Sequence, residues 1–142
     1  MKALIALVLV APLSVFAAGS NDLIVVPALT KGAAAISIDF VSSGDAAGVS
    51  FVVDVGNVSE KQVNLSACTS SLPKGRSGSC GFKNGQVFGV VYSPNGTAIP
   101  AGIINVGRIS VSGTSAQPKV TMVEAFDVAG NPLPGVAVGA EK

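Results

Sequence analysis

The sequence predicts an all-β fold, a single antiparallel β-sandwich, on three observations. Several segments alternate apolar and polar residues with a period of two, as half-buried strands do. Clusters of Gly, Pro, Asn and Ser separate these segments at short intervals. After the first residues, no segment repeats its apolar positions at helical spacing. Short strands joined by tight turns are typical of two sheets packed face to face.

Three strands are predicted in the first part of the chain. The first covers residues 22–27, an apolar run that ends in Pro27, the second covers residues 34–40, and the third begins at Gly48. The period of two predicts which side chains of the second and third strands share a buried face. These predicted core residues are Ile36, Ile38, Phe40, Val49, Phe51, Val53 and Val55.

A short edge strand and a long loop are predicted in the middle of the chain. Residues 63–65 suit a brief edge strand. Residues 66–85 are mostly Ser, Gly, Lys and Cys, with few apolar residues, and this composition predicts a surface loop.

Residues 86–126 are the most strongly patterned part of the sequence. Strands are predicted at residues 86–92, 103–111 and 118–126, with a turn at residues 93–97 that contains Pro and Asn-Gly. A second turn at residues 127–131 closes the last of these strands, and a final short strand is predicted at residues 133–138.

This stretch resembles a cohesin-type domain, which is a jelly-roll β-sandwich of a superfamily shared with some carbohydrate-binding modules. The matching signals are Tyr92-Ser93, Asn95-Gly96-Thr97, Ile99-Pro100, Gly102, the run 120–127 and Ala129-Gly130-Asn131. Upstream, residues 36–55 resemble the early hairpin of the family, and the likeness spans about residues 34–138. Gly56-Asn57 stands where the family often has Asp-Pro, and no partner-contact residue of the family carries over. The resemblance implies a binding module.

The first 17 residues are predicted to be a cleaved secretory signal peptide. Lys2 supplies the positive start, residues 3–10 form a short apolar region, and Val15 and Ala17 suit the −3 and −1 positions of a cleavage site. The apolar run is shorter than the roughly 20 residues that a membrane span needs. We therefore expect no membrane span, one domain at residues 18–142, and a secreted or periplasmic protein.

The two cysteines, Cys68 and Cys80, are predicted to form a disulfide, since exported proteins meet an oxidising environment. The chain has no His, so a four-ligand zinc site and a Cys–His catalytic pair are both disfavoured. Lys74, Arg76 and Lys83 lie within or beside the closed loop and form its candidate partner-binding residues. The alternative is that these charges only keep the loop soluble.

Charge and composition exclude several functions. Without Lys2, 9 − 1 = 8 basic side chains face 8 acidic ones, so the mature chain is neutral. A neutral chain has no electrostatic reason to bind nucleic acid or an anionic membrane. Charged residues are 12% of the sequence, and the weakly charged, Ala- and Val-rich surface favours association.

No catalytic residue, metal or cofactor is expected. Asp39 and Asp54 are the carboxylates that would lie near each other across a hairpin, and solvated strand positions explain both without catalysis. Residues 127–131 place oxygen side chains around a Gly, which is also ordinary turn chemistry and lacks the acidic density of a calcium loop.

Aromatic residues limit the kinds of ligand. The chain has no Trp and one Tyr, and the phenylalanines Phe40, Phe51, Phe88 and Phe126 are predicted to lie in the core. A glycan site would therefore depend on polar contacts. The sequence predicts a secreted, non-catalytic module that binds a protein or a polysaccharide. The alternative is a structural subunit that assembles with copies of itself.

Overall fold

The computed structural model of the protein describes residues 21–114, 117–134 and 137–140. Nine strands lie in these residues, with one turn of 3-10 helix at Glu60–Gln62. The strands are β1 (Asp22–Thr30), β2 (Ala33–Ser42), β3 (Gly48–Asp54), β4 (Val63–Asn64), β5 (Ser77–Lys83), β6 (Gln86–Tyr92), β7 (Gly102–Ser112), β8 (Lys119–Phe126) and β9 (Ala137–Ala140). The predicted signal peptide, residues 1–17, lies outside the described residues.

The strands form two sheets that pack face to face, so the predicted all-β sandwich is confirmed. The five-stranded sheet has the order β4-β7-β2-β1-β9, and the four-stranded sheet has the order β5-β6-β3-β8. The pairings are antiparallel except for β1 with β9, which run parallel. β4 is a two-residue edge strand, as the sequence predicts.

The core lies between the sheets and is built from the faces that the period of two predicts. The predicted residues Ile36, Ile38, Phe40, Val49, Phe51, Val53 and Val55 are all buried. Leu23 of β1, Val87 and Val91 of β6, and Val106 and Ile109 of β7 join them in one cluster. Close packing of these side chains is the main source of stability in a domain of this size.

Two expectations about strand pairing are wrong. Residues 36–55 do not form a hairpin, because β2 pairs with β1 and β7 while β3 pairs with β6 and β8. The turn between them carries the chain from one sheet to the other. Asp39 and Asp54 therefore belong to different sheets, and the structure does not bring these two carboxylates together across a hairpin.

The long loop predicted at residues 66–85 is also wrong in part, since β5 occupies Ser77–Lys83. Its Ser- and Gly-rich sequence has little strand propensity, but every residue of β5 pairs with β6. The last strand lies later than predicted, at Ala137–Ala140, and Pro132 makes only an isolated bridge to Phe126.

In the described part of the chain, no helix is both long enough and apolar enough to cross a membrane.

Candidate functional site

The outer face of the four-stranded sheet exposes large apolar side chains. Along β6, Val87, Gly89 and Val91 lie on the inner face and are buried, so the residues that alternate with them point outwards. Those outward residues are Phe88, Val90 and Tyr92, with 40%, 38% and 47% of their surface exposed. β6 is therefore apolar on both sides, which is unusual for a strand with one solvated face.

The neighbouring strands extend this apolar surface sideways. Phe88 lies opposite Gly81 on β5 and opposite Val52 on β3. Val52 in turn lies opposite Met122 on β8, which is 40% exposed. Directly paired residues of antiparallel strands share a face, so these side chains form a continuous row. We call Val52, Phe88, Val90, Tyr92 and Met122 the apolar face.

Small and polar residues surround the apolar face. Val90 lies between Ser79 on β5 and Ser50 on β3, and Tyr92 lies between Ser77 and Gly48. A side chain added at Gly81 would meet no atom within 4 Å, so the surface beside Phe88 is open. Contiguous exposed apolar residues with a polar rim are the usual mark of an interaction surface.

The core position predicted for Phe88 is wrong. Residues 86–92 are apolar at consecutive positions, so no period of two distinguishes the inner face from the outer one. Pairing with β3 decides the orientation, because Phe51 points inwards and lies opposite Gly89. Phe40 and Phe51 are in the core as predicted, whereas Phe126 is only half-buried.

Known structures with the same fold identify the architecture. The sequence matches no protein-family model, and no curated protein matches it. A non-cellulosomal cohesin from Archaeoglobus fulgidus superposes with a TM-score of 0.61 at 9% identity, covering 85% of this chain and 88% of that one. The chain has the β-sandwich fold of cohesin modules.

Two further structures agree with this assignment. A cohesin module from a Clostridium perfringens family 33 glycoside hydrolase gives a TM-score of 0.57 at 12% identity, covering 85% of this chain and 98% of that one. A chain from a type I cohesin–dockerin complex of Clostridium thermocellum gives a TM-score of 0.58 at 13% identity, covering 85% and 96%. The jelly-roll, cohesin-like fold expected from the central stretch is thus confirmed.

The three predicted partner-binding cations do not share one loop. Lys83 is the last residue of β5 and lies opposite Gln86, whereas Lys74 and Arg76 precede the other end of β5. Lys74 is exposed. The Arg76 guanidinium is half-buried and donates hydrogen bonds of 2.8 Å to the Ala98 carbonyl and 3.2 Å to the Gly75 carbonyl. Arg76 thus holds two loops together.

The predicted disulfide between Cys68 and Cys80 is present. Cys68 is buried in the core cluster, and Cys80 lies on β5 opposite Gly89. The disulfide therefore joins the segment after β4, at the edge of the five-stranded sheet, to β5, at the edge of the other sheet. It fixes the strand that borders the apolar face.

The side chain of Asp127 stabilises the turn that follows β8. One carboxylate oxygen of Asp127 accepts backbone N–H groups from Ala129 and Asn131, both at 2.9 Å. One of the two carboxylate oxygens of Asp127 is therefore engaged by the turn itself. Within residues 21–114, 117–134 and 137–140, no three His, Cys, Asp or Glu residues are grouped so as to hold a metal.

Proposed function

We propose that this cohesin-type domain is a non-catalytic module that binds a protein outside the cytoplasm, and that the partner docks on the apolar face. Seven large apolar side chains are exposed in the described part of the chain, and Phe88, Val90, Tyr92 and Met122 account for four of them. The others, Leu29, Ile103 and Val128, lie on other elements. This concentration on one sheet carries the proposal.

The physical properties of the apolar face suit a protein partner. Aromatic residues near the centre of an interface commonly supply most of its binding energy, and Phe88 and Tyr92 stand on the second strand of the sheet. Their backbone is held by ladders to β5 and β3 on both sides. A face built on paired strands loses little entropy on binding, which favours affinity.

The structural neighbours support the choice of a protein. One similar chain comes from a type I cohesin–dockerin complex, and another from a type II cohesin–X-dockerin complex of Acetivibrio cellulolyticus. For those proteins the partner is a dockerin. We therefore take dockerin modules as the first partner class to test here, with other exported proteins as the second.

Charges at both ends of β5 complete the proposed docking surface. Lys83 lies at one end of the strand, and Lys74 lies just before the other end. We propose that these two cations contact acidic residues at the rim of the partner. Arg76 is assigned a structural role instead, because its guanidinium is bonded to the protein's own carbonyl groups.

The test compares two variants that each remove one exposed apolar side chain. Phe88→Ser alters the centre of the apolar face, and Ile103→Ser alters an equally apolar position on the five-stranded sheet, where Ile103 is 67% exposed. Each variant and the parent would be immobilised and probed with a dockerin panel and with the exported proteins of the native cell. Loss of a central aromatic anchor should weaken capture by about tenfold or more.

The outcomes separate the competing functions. Weaker capture by Phe88→Ser but not by Ile103→Ser supports docking on the apolar face, and equal capture by both variants contradicts it. The alternative of a self-assembling subunit is tested by sedimentation of the parent alone. A concentration-dependent dimer that Phe88→Ser dissociates would make a second copy of the chain the partner.

A further inference from the structure

A groove runs across the outer face of the five-stranded sheet, on the opposite side of the sandwich from the apolar face. Two adjoining cavities of about 470 Å³ and 500 Å³ form it, and both are lined by Ala28, Ala35, Asn64 and Ser110. Because they share these residues, the two cavities are parts of one continuous channel along the strands.

Small side chains on three paired strands make the floor of the groove. Ser110 on β7 lies opposite Ala35 on β2, and Ala35 lies opposite Ala28 on β1. The next row places Arg108 opposite Ser37. Side chains this short leave a depression where larger residues would fill the surface.

A rigid segment forms one wall. The Gln62 amide donates to the Ser112 carbonyl at 2.9 Å, and its oxygen accepts the Ser59 N–H at 2.8 Å. β4 then pairs with β7, and the side chain of Asn64 accepts the Ser66 N–H at 2.9 Å. The groove is therefore already formed without a ligand, and such preorganisation lowers the entropic cost of binding.

The groove is positively charged. Arg108 lines one cavity and Lys61 lines the other, and both side chains are exposed. Among the described residues that line either cavity, none is acidic. Lys61 precedes Gln62, which is bonded to Ser112, and Ser112 lies four positions from Arg108 on β7, or about 13 Å of strand. The Nε of Arg108 donates to Ser71 at 2.7 Å, so the other N–H groups of the guanidinium are the ones offered to a ligand.

Polar groups between the two cations come from side chains. The backbone groups of the floor are engaged in the strand ladder, so a ligand meets hydroxyl and amide groups rather than peptide bonds. Ser37, Ser110 and Asn64 supply these groups along the channel. Hydroxyl and amide side chains pair well with sugar hydroxyls, whereas an extended peptide prefers a free strand edge.

We propose that this groove binds a linear polysaccharide that bears carboxylates, such as a uronate polymer. The narrow floor accepts an extended chain, Arg108 and Lys61 pair with carboxylates at two points, and the hydroxyls of the floor bind the sugar units between them. The site is separate from the apolar face, so the two proposals stand or fall independently. A domain with both sites would join an acidic matrix glycan to a protein.

The experiment measures binding of the protein to polygalacturonate and alginate by affinity electrophoresis and calorimetry. Neutral dextran, dextran sulfate and polyglutamate test whether sugar, any anion or an acidic peptide is what binds. Ala35→Trp fills the groove from an outward position, so it leaves the core intact. Arg108→Gln with Lys61→Gln removes both cations, and Lys83→Gln with Lys119→Gln removes the same charge from the other sheet as the matched control.

We expect the parent to bind the carboxylated polysaccharides, and binding to fall about tenfold or more in the groove double variant and in Ala35→Trp. The control double variant should bind like the parent. Failure to bind either carboxylated polysaccharide would overturn the proposal. Equal losses in the two double variants, or tighter binding of polyglutamate or dextran sulfate, would also overturn it. If Ala35→Trp has an altered melting temperature, the pair of double variants decides the result alone.

Discussion

The backbone N–H of Arg108 donates a hydrogen bond of 3.0 Å to the carbonyl oxygen of Cys68. β4 pairs with β7 only at Val63 and Asn64. The bond to Cys68 therefore satisfies a backbone N–H on the edge of β7 beyond the end of β4. Through its sulfur, Cys68 is bonded to Cys80 on the other sheet. This hydrogen bond and the disulfide thus connect β7, which lines the groove, to β5, the strand that borders the apolar face.

The disulfide is expected to contribute strongly to stability. Cys68→Ser with Cys80→Ser should lower the free energy of unfolding by roughly 3 kcal/mol, because the cysteines are 12 positions apart and the bridge restricts the unfolded chain. Guanidinium unfolding of parent and variant, with and without reductant, measures this difference. Thiol labelling of the unreduced parent is the control. Coincident unfolding curves, or two labelled thiols in the parent, would contradict the prediction.

Any side chain at Gly89 is expected to destabilise the core. A Cβ at this position would clash with the ring of Phe51, whereas a Cβ at Gly81 of the adjacent strand meets nothing within 4 Å. Gly89→Ala should therefore destabilise the domain by about 1–3 kcal/mol through overpacking, and Gly81→Ala should be neutral or slightly stabilising. Thermal unfolding of the two variants tests this. Equal melting temperatures would show that the Phe51 ring moves aside without cost.

Replacing Arg76 is expected to lower stability more than replacing Lys74, although both are basic residues of one short segment. Arg76→Ala should cost about 1 kcal/mol of stability, because it leaves the Ala98 carbonyl without its 2.8 Å donor. Lys74→Ala should stay within about 0.5 kcal/mol of the parent, as is usual at exposed positions. Chemical unfolding distinguishes the two. The prediction is wrong if Lys74→Ala is the more destabilised variant.

Because of Asp45, the free energy of unfolding is expected to depend on pH in the acid range. Hydrogen bonds from Ser43 at 2.6 Å and Asn21 at 3.0 Å hold the pKa of this carboxyl below its ordinary value of 3.8. The folded state therefore binds this proton less readily than the unfolded state does. The stabilisation that ionised Asp45 provides is therefore fully present above the pKa of this group in the unfolded state. It is lost as the pH falls through the pKa of the group in the folded state.

Asp45→Asn should accordingly be less stable than the parent near neutral pH, and the difference should shrink below about pH 4. Urea unfolding across the acid range measures it, with Glu124→Gln as a control for removing an exposed carboxylate of β8. A difference that stays constant from neutral to acid pH would exclude this role for Asp45.

Periodicity predicted the fold where one face of a strand is polar. Ile36, Ile38 and Phe40 alternate with Ser37 and Asp39, so both the strand and its buried face were evident from the sequence. The same signal predicted the third strand. The cohesin-like fold was implied by a resemblance to that family, and the turns of the central stretch carry the resemblance.

The candidate sites were harder to predict because they depend on pairing between distant strands. Phe88 lies in an apolar run without a polar face, and its outward orientation depends on the register with β3. β5 has the composition of a loop and is a strand because of its pairing with β6. The groove joins residues 28, 35, 64 and 110, and no local pattern connects positions so far apart in the chain.

The parallel pairing of β1 with β9 determines how the domain responds to a pulling force. Asp22 lies opposite Ala137, and Val25 lies opposite Ala140, so the two strands run side by side in the same direction. Tension applied from before Asp22 and from after Ala140 pulls these strands along their length in opposite senses. The interstrand hydrogen bonds are then loaded in shear and must break together instead of opening one at a time from an end. The parallel pairing therefore predicts that the domain resists extension when it is pulled from these two ends.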